Sequence, residues 1–500
     1  MDARLQILKD AFEQKFDIER FIRFTTEFFG GVKMISPHRD NTNIPTEYKF
    51  TVESYRHIAS YTTNGDTLDI FAVKLQSRRG RTVERSRSMQ RSFVSKLLSN
   101  ANHDAAIAAF YTDDDPRWRL SFVRLDYEFA AGRVKMNLTP AKRYSYLVGE
   151  NEPCHTAMEQ LVPAFRNEDY KPTLDNIEEA FSVEKVTKDF FEKYREKYFV
   201  LKEYLEKSDV FTIEADRCGF TSEQFAKKLM GQLAFLYFLQ KKGWLGISIL
   251  PRKLTKKEYD NAFYKTSASK EVIPQIYKTV ASDEYRLDVQ TMQSLDNNSA
   301  DKAASCFKVD EWGKGEKRFI RHLFTTRNQK NFFDEILAPL FYEALNQRRG
   351  SNNFYKRFNC KIPFLNGGLF EPLEGYDWEF TKFAIPNEIF SNIDEKGERG
   401  ADGILDIFDR YNFTMNEDEP LKREVAVDPE MLGKIFENLL DTKDRKSKGA
   451  FYTPREIVHY MCAESLIHYL VGKTGVPYDD MKVFIVDGEF LKDEDYWSNK

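Results

Sequence analysis

The sequence predicts a multi-domain chain with an α/β N-terminal domain over 1–170, a mainly α-helical connector over 171–350 and a helical stretch over 351–500. Three observations predict it. Two strand-like runs, 55–62 and 67–76, flank Asn64 and Gly65, a dipeptide that supplies the positive φ values of a tight hairpin. From about Leu174 the apolar spacing changes to the helical period. Between 428 and 471 two helix starts are legible. Asp428 and Pro429 give a capping side chain followed by a proline where no amide hydrogen is needed, and Thr453, Pro454 and Glu456 form a T-P-x-E capping box.

Residues 12–29 read as one amphipathic helix with Phe16, Phe21, Phe24 and Phe28 on or near one side. The hairpin follows, and then 105–112 and 117–127 read as strands around a turn at 113–116, completing an α/β domain. The basic and aromatic segment 138–157 carries no assignable chemistry, and His155 within it reads as a structural histidine. In the connector, 174–207 is charged and aromatic at helical spacing. A start at Thr221 and Glu223 then opens a nearly all-apolar helix suited to the centre of a bundle. The polar stretch 251–317 predicts a flexible break, after which 317–324 and 332–345 resume as helices. Asn366, Gly367 and Gly368 predict a tight turn. Leu432, Ile435, Phe436, Leu439 and Leu440 then form one buried face. Val458, Met461, Cys462, Leu466, Tyr469 and Leu470 form the apolar stripe of the last helix.

Five hundred residues exceed one core, so two to four domains are expected. The 41% hydrophobic and 31% charged residues fit a globular protein, and 42 Phe with 25 Tyr imply aromatic cores. A net charge of −4 does not mark a general nucleic-acid binder, so any such surface has to be local. Cys154, Cys218, Cys306, Cys360 and Cys462 are widely spaced and odd in number. They predict reduced thiols in a cytoplasmic protein and no zinc site. The start shows no secretion signal, and no apolar run is long enough to span a bilayer. Oligomeric state does not follow from any of this.

Two local patterns carry chemistry. Asp69 and Lys74 interrupt an apolar strand beside a helix, and together they resemble the parts of a PD-(D/E)xK nuclease, in which carboxylates hold Mg²⁺ and the lysine orients the attacking water. Asp69 and Lys74 are therefore the candidate catalytic pair, with Asp69 as the metal ligand. The pattern departs at Ala72, where the second strand acid would stand, so Glu53 or Glu19 would have to contribute. Downstream, Arg78, Arg79, Arg81, Arg85, Arg87 and Arg91 crowd a loop and helix start that holds one acid, Glu84. Such a cluster suits bidentate grip on backbone phosphates of double-stranded DNA. A solvated charged face is the plainer alternative.

The run 448–462, KGAFYTPREIVHYMC, resembles the segment that opens the methyltransferase domain of gamma-type adenine-N6 DNA methyltransferases, especially type IIG restriction-modification enzymes. The segments LMGQLAFLYFLQKKGWLG and IPFLNGGLFEP resemble the helical linker and a glycine turn of the same enzymes. The resemblance implies a nuclease-like N-terminal domain, a helical connector and the helical start of a class I methyltransferase domain. It implies S-adenosylmethionine as cofactor, held in part by Tyr452, Thr453 and Pro454, and Mg²⁺ for a nuclease. Methyl transfer to adenine N6 also needs a glycine-rich cofactor turn and an NPPY-type loop for the flipped base. Neither occurs among the 500 residues. The expectation is thus the N-terminal portion of a longer enzyme, truncated before the cofactor-binding strand. The alternative is a non-catalytic DNA-binding defence subunit that docks a separate catalytic chain.

Overall fold

The computed structural model describes residues 3–35, 40–77, 83, 87–130, 133–150, 152–166, 171–251, 307–327, 329–349, 353–365, 367–414, 422–424, 426–427, 433, 453, 455–482 and 484–485. It divides into two compact units, one of Met1–Lys185, Asp418–Val425 and Glu430–Lys500, the other of Val186–Glu417 and Ala426–Pro429.

The first unit opens with α1 (Ala3–Phe12) and α2 (Ile18–Phe29), where the periodicity predicts one helix. The interruption has a local cause. Asp17 adopts extended backbone and its carboxylate accepts the Arg20 N–H at 2.9 Å, so a new helix is capped in the middle of the phenylalanine pattern. Phe12 and Phe21 then pack edge-on to Trp118, with ring centroids 5.8 and 5.9 Å away.

A seven-stranded sheet forms the body of this unit. Its strands are β1 (Lys33–Met34), β2 (Val52–Thr63), β3 (Asp66–Leu75), β4 (Ala105–Tyr111), β5 (Arg117–Ala130) and β6 (Arg133–Gly149), in that spatial order, with Lys422–Glu424 beyond β6. Asn64 (φ 50°) and Gly65 (φ 92°) close the β2–β3 hairpin as the sequence predicts. Helix α3 (Arg87–Ala101) carries the chain from β3 to β4, which lies parallel to it. Such a connection needs a crossover, and α3 provides it. Phe71, Val73 and Leu75 of β3 bury one face of the sheet against Phe93, Val94 and Leu98 of α3.

The unit continues through α4 (His155–Arg166) and α5 (Leu174–Ala180), past the expected limit at 170. Phe181 packs on Tyr146 of β6 at 4.9 Å, and the Tyr146 hydroxyl is held by Gln160 and by the Ala180 carbonyl.

The second unit is helical around a small sheet. Helix α6 (Val183–Lys207) enters it at Val186, followed by α7 (Asp209–Cys218) and α8 (Ser222–Lys241). Thr221 caps α8 in a reciprocal box with Gln224, and most of the helix is buried. Strands Phe307–Val309, Ile247–Pro251, Cys360–Lys361 and Phe354–Tyr355 form a four-stranded sheet in that order. Because this sheet joins residues on both sides of 350, the expected boundary there is not observed. The predicted break at 251–317 lies mostly outside the described residues, and Phe319–Thr326 is a helix. Within the helix expected over 332–345 the turns are widened to the π form at Phe333–Leu337 and Pro339–Leu345.

The helix Arg455–Thr474 belongs to the first unit. Of its apolar residues Ile467 is buried, whereas Val458, Met461, Leu466 and Tyr469 of the expected buried stripe are exposed among the described residues. The first helix expected in this stretch, over 428–440, lies outside the described residues apart from Gly433.

Candidate functional site

Asp69 and Lys74 stand five residues apart on β3, which pairs with β4 residue for residue from Leu68 to Lys74. Side chains alternate along a regular strand, so an odd separation sends the two to opposite faces. The expected catalytic pair is therefore not assembled, and each residue sits in its own cluster.

Lys74 faces away from α3. Its ammonium contacts Asp113 Oδ2 at 2.7 Å and Glu53 Oε1 at 2.9 Å. Hydrogen bonding to Asp113, and next to Glu53, holds its pKa above the ordinary lysine value, so it stays charged. Glu53 reaches it from an irregularity of β2, where the pairing skips from Val52 to Ser54. Glu19, the other acid offered by the sequence, lies in the first turn of α2.

Asp69 faces the α3 side and is 1% exposed. Ser60 Oγ donates to its Oδ1 at 2.6 Å, His57 Nε2 lies 3.0 Å from the same oxygen, and His103 Nδ1 lies 2.7 Å from Oδ2. A second skip in β2, from His57 to Ala59, turns His57 and Ser60 to one face. His103 arrives just past the end of α3, after Asn102 in the left-handed region (φ 56°), with its own N–H on the Leu98 carbonyl at 3.1 Å. Burial by itself would raise the Asp69 carboxyl, but the donors His57, His103 and Ser60 outweigh it and leave the group below the ordinary aspartate value.

This arrangement corrects the expectation that Asp69 ligates Mg²⁺. Both of its oxygens already accept hydrogen bonds and almost none of its surface is open, which does not suit a hard cation that keeps several waters. Among the described residues no group of three or more His, Cys, Asp or Glu is arranged to hold a metal ion. The two histidines were missed because nothing in the order of residues marks the irregularity that aligns His57 with Asp69.

The arginine cluster is only partly visible. Arg78, Arg79, Arg81 and Arg85 lie outside the described residues, and of Arg87 only the backbone at the start of α3 is described. Arg91 is 2% exposed, so it belongs to the interior and not to a phosphate-binding surface. At the far end of the chain, Tyr452 and Pro454 lie outside the described residues and Thr453 is exposed. The glycine turn lies against α8. Gly367 has φ 133°, and the next two carbonyls, of Gly368 and Leu369, accept from Lys228 Nζ at 2.9 Å and Gln232 Nε2 at 2.8 Å on α8.

Part of the chain is similar to a restriction-modification protein. The similarity is 34% identity over 146 residues to a Methanocaldococcus jannaschii protein provisionally named as a type II restriction enzyme and methyltransferase. It covers 27% of this chain and 11% of that protein, so the chain matches about a tenth of the relative's length. No family model and no solved structure matches the chain. Among the described residues no helix is long and apolar enough to cross a membrane.

Proposed function

We propose that the chain is a working part of a restriction-modification or phage-defence enzyme acting on double-stranded DNA. The observation that carries the proposal is the similarity to the Methanocaldococcus jannaschii protein. In this reading the sheet unit carries endonuclease activity. Methyl transfer goes from S-adenosylmethionine to adenine N6, with the turn at Tyr452, Thr453 and Pro454 forming one wall of the cofactor site. The residues around Asp69 do not fit a Mg²⁺ ligand set, so no step is routed through that ion.

A type IIG architecture of the gamma arrangement is the finer form of this reading, supported by the sequence resemblance at 448–462 and 362–372. The second reading is a DNA-binding subunit that docks a separate catalytic chain; the two differ in whether a glycine-rich cofactor turn and an NPPY-type loop belong to the same polypeptide. Reading the coding DNA beyond codon 500, and assaying the encoded protein for transfer of labelled methyl groups to adenine N6, separates the two. A continuation with neither motif and no transfer removes the methyltransferase reading.

A further inference from the structure

A cleft in the helical unit is lined by Arg327, Arg357 and Trp378 and takes no part in anything described so far. It encloses about 660 Å³, inside the range of about 300–1,000 Å³ in which small ligands are held. One wall comes from the widened helix at Phe333–Leu337, and turns of that kind recur at functional sites. A second irregularity follows Lys382, another lining residue. Ala384 has φ 49°, in the left-handed region that a residue with a Cβ rarely occupies. Asp334 of the widened helix holds it there, accepting the Ala384 N–H at 2.8 Å and the Phe383 N–H at 3.1 Å. Backbone strain of this sort collects where a site is being shaped.

Two cations in the cleft lack a counterion. Arg327 follows the helix Phe319–Thr326, and Arg357 stands in the turn between the paired strands Phe354–Tyr355 and Cys360–Lys361. Both line the cleft, and neither pairs with a carboxylate among the described residues. The Arg327 guanidinium lies 4.8 Å from the centre of the Phe358 ring, a stack that orients its fork. Burial, and then the charge of Arg357, hold Arg327 below the ordinary arginine value, so an anion reaching both would relieve the strain on that charge.

The remaining lining has a different character. Trp378 is half-buried, with the Tyr342 ring 5.9 Å away. Asp334 is committed to the backbone, and Glu343 accepts from the Tyr355 hydroxyl at 2.8 Å. Glu379 is exposed and makes no ion pair among the described residues. Open guanidiniums, an aromatic ring and an open carboxylate together suit a molecule with one anionic group, a flat ring and a hydrogen-bond donor on that ring. A nucleic-acid strand would bring further phosphates against the same carboxylates, which repel them.

We propose that this cleft binds a nucleoside monophosphate whose base carries an amino group. Arg327 and Arg357 grip the phosphate, Trp378 stacks on the base and Glu379 accepts from its exocyclic amine. The site lies wholly within Val186–Glu417 and does not rest on the DNA-cleavage or methyl-transfer reading.

The test is calorimetric titration of the full chain with AMP, UMP, inorganic phosphate and a short single-stranded oligonucleotide. AMP should bind one-to-one and about 10-fold more tightly than UMP, which lacks the amine, with inorganic phosphate weaker still. Arg357→Ala, at an exposed turn, should weaken both nucleotides about 10-fold or more and leave the melting temperature alone. Glu379→Ala should bring AMP down to the level of UMP and leave UMP unchanged. The proposal is overturned by a wild-type chain that binds no AMP, by AMP affinity unchanged in Arg357→Ala, or by equal affinity for AMP and either UMP or phosphate. Tighter binding of the oligonucleotide than of AMP also overturns it, making the cleft a strand-binding surface.

Discussion

His57 and Ser60 share one face of β2 although they stand three positions apart, because the strand pairing skips Ile58. The irregularity is what brings both side chains to Asp69, and it ties the acid's charge to stability. A carboxyl held below its ordinary pKa contributes stability that is present above the unfolded value, near 4, and is lost as pH falls through the folded one. Asp69→Asn should therefore cost about 2 kcal/mol at pH 7. The difference from wild type should narrow below about pH 4. Urea unfolding at neutral and acid pH measures it, and a gap that does not change with pH contradicts this account.

Arg91 and its neighbours in sequence should separate experimentally. Arg85→Ala and Arg87→Ala are each expected to make the salt dependence of DNA binding shallower by about one unit of slope. Arg91→Ala should leave the slope alone and lower the melting temperature instead, since Arg91 is interior. Binding isotherms at several salt concentrations, paired with thermal melts, read both effects.

Arg321 holds the helical unit together through three bonds. Its guanidinium meets Asp409 at 2.6 Å, Ser391 at 2.7 Å and Asp406 at 2.8 Å, all at buried or nearly buried positions. Removing it takes the guanidinium from Asp406 and leaves Asp409 with Arg318, 3.9 Å away. Arg321→Ala should destabilise by about 3–5 kcal/mol, measured by denaturant unfolding. A loss below about 1 kcal/mol would place the pair in the weak class of solvent-screened bridges.

Gly149 ends β6 with φ 120°, and a Cβ there would sit 2.5 Å from the Pro116 carbonyl oxygen. Gly219 caps α7 with φ 77° and has open space around it. Gly219→Ala should thus cost about 1 kcal/mol of backbone strain. Gly149→Ala should cost distinctly more, because the clash is with main chain. Equal losses in the two variants would show that space at Gly149 is not limiting.

What could be read from the sequence was what depends on neighbours in sequence. Asn64 and Gly65 specify the hairpin by their own φ preferences, and Thr221 caps α8 through a residue three places on. The opposite orientations of Asp69 and Lys74 also follow from strand periodicity, yet a motif search passes over them. The meeting of His57, Asp69 and His103 needs a skipped residue in one strand and a left-handed turn after a helix. Neither leaves a compositional trace. Asp17 misled for the opposite reason, since a short-range cap was hidden inside a continuous run of phenylalanines. Arg91 misled because a charge run reports composition, whereas burial depends on which face of α3 it occupies.

The strand Lys422–Glu424 lies parallel to β6, with Lys422 opposite Arg143. During synthesis these partners leave the ribosome roughly 280 residues apart, which at common elongation rates is on the order of 15–60 s. For that interval β6 waits without this neighbour, and a bare strand edge recruits other chains. A nascent copy is thus most prone to aggregation while the helical unit is being made. Slowing translation over 186–417 should lower the soluble yield more than slowing it after 424.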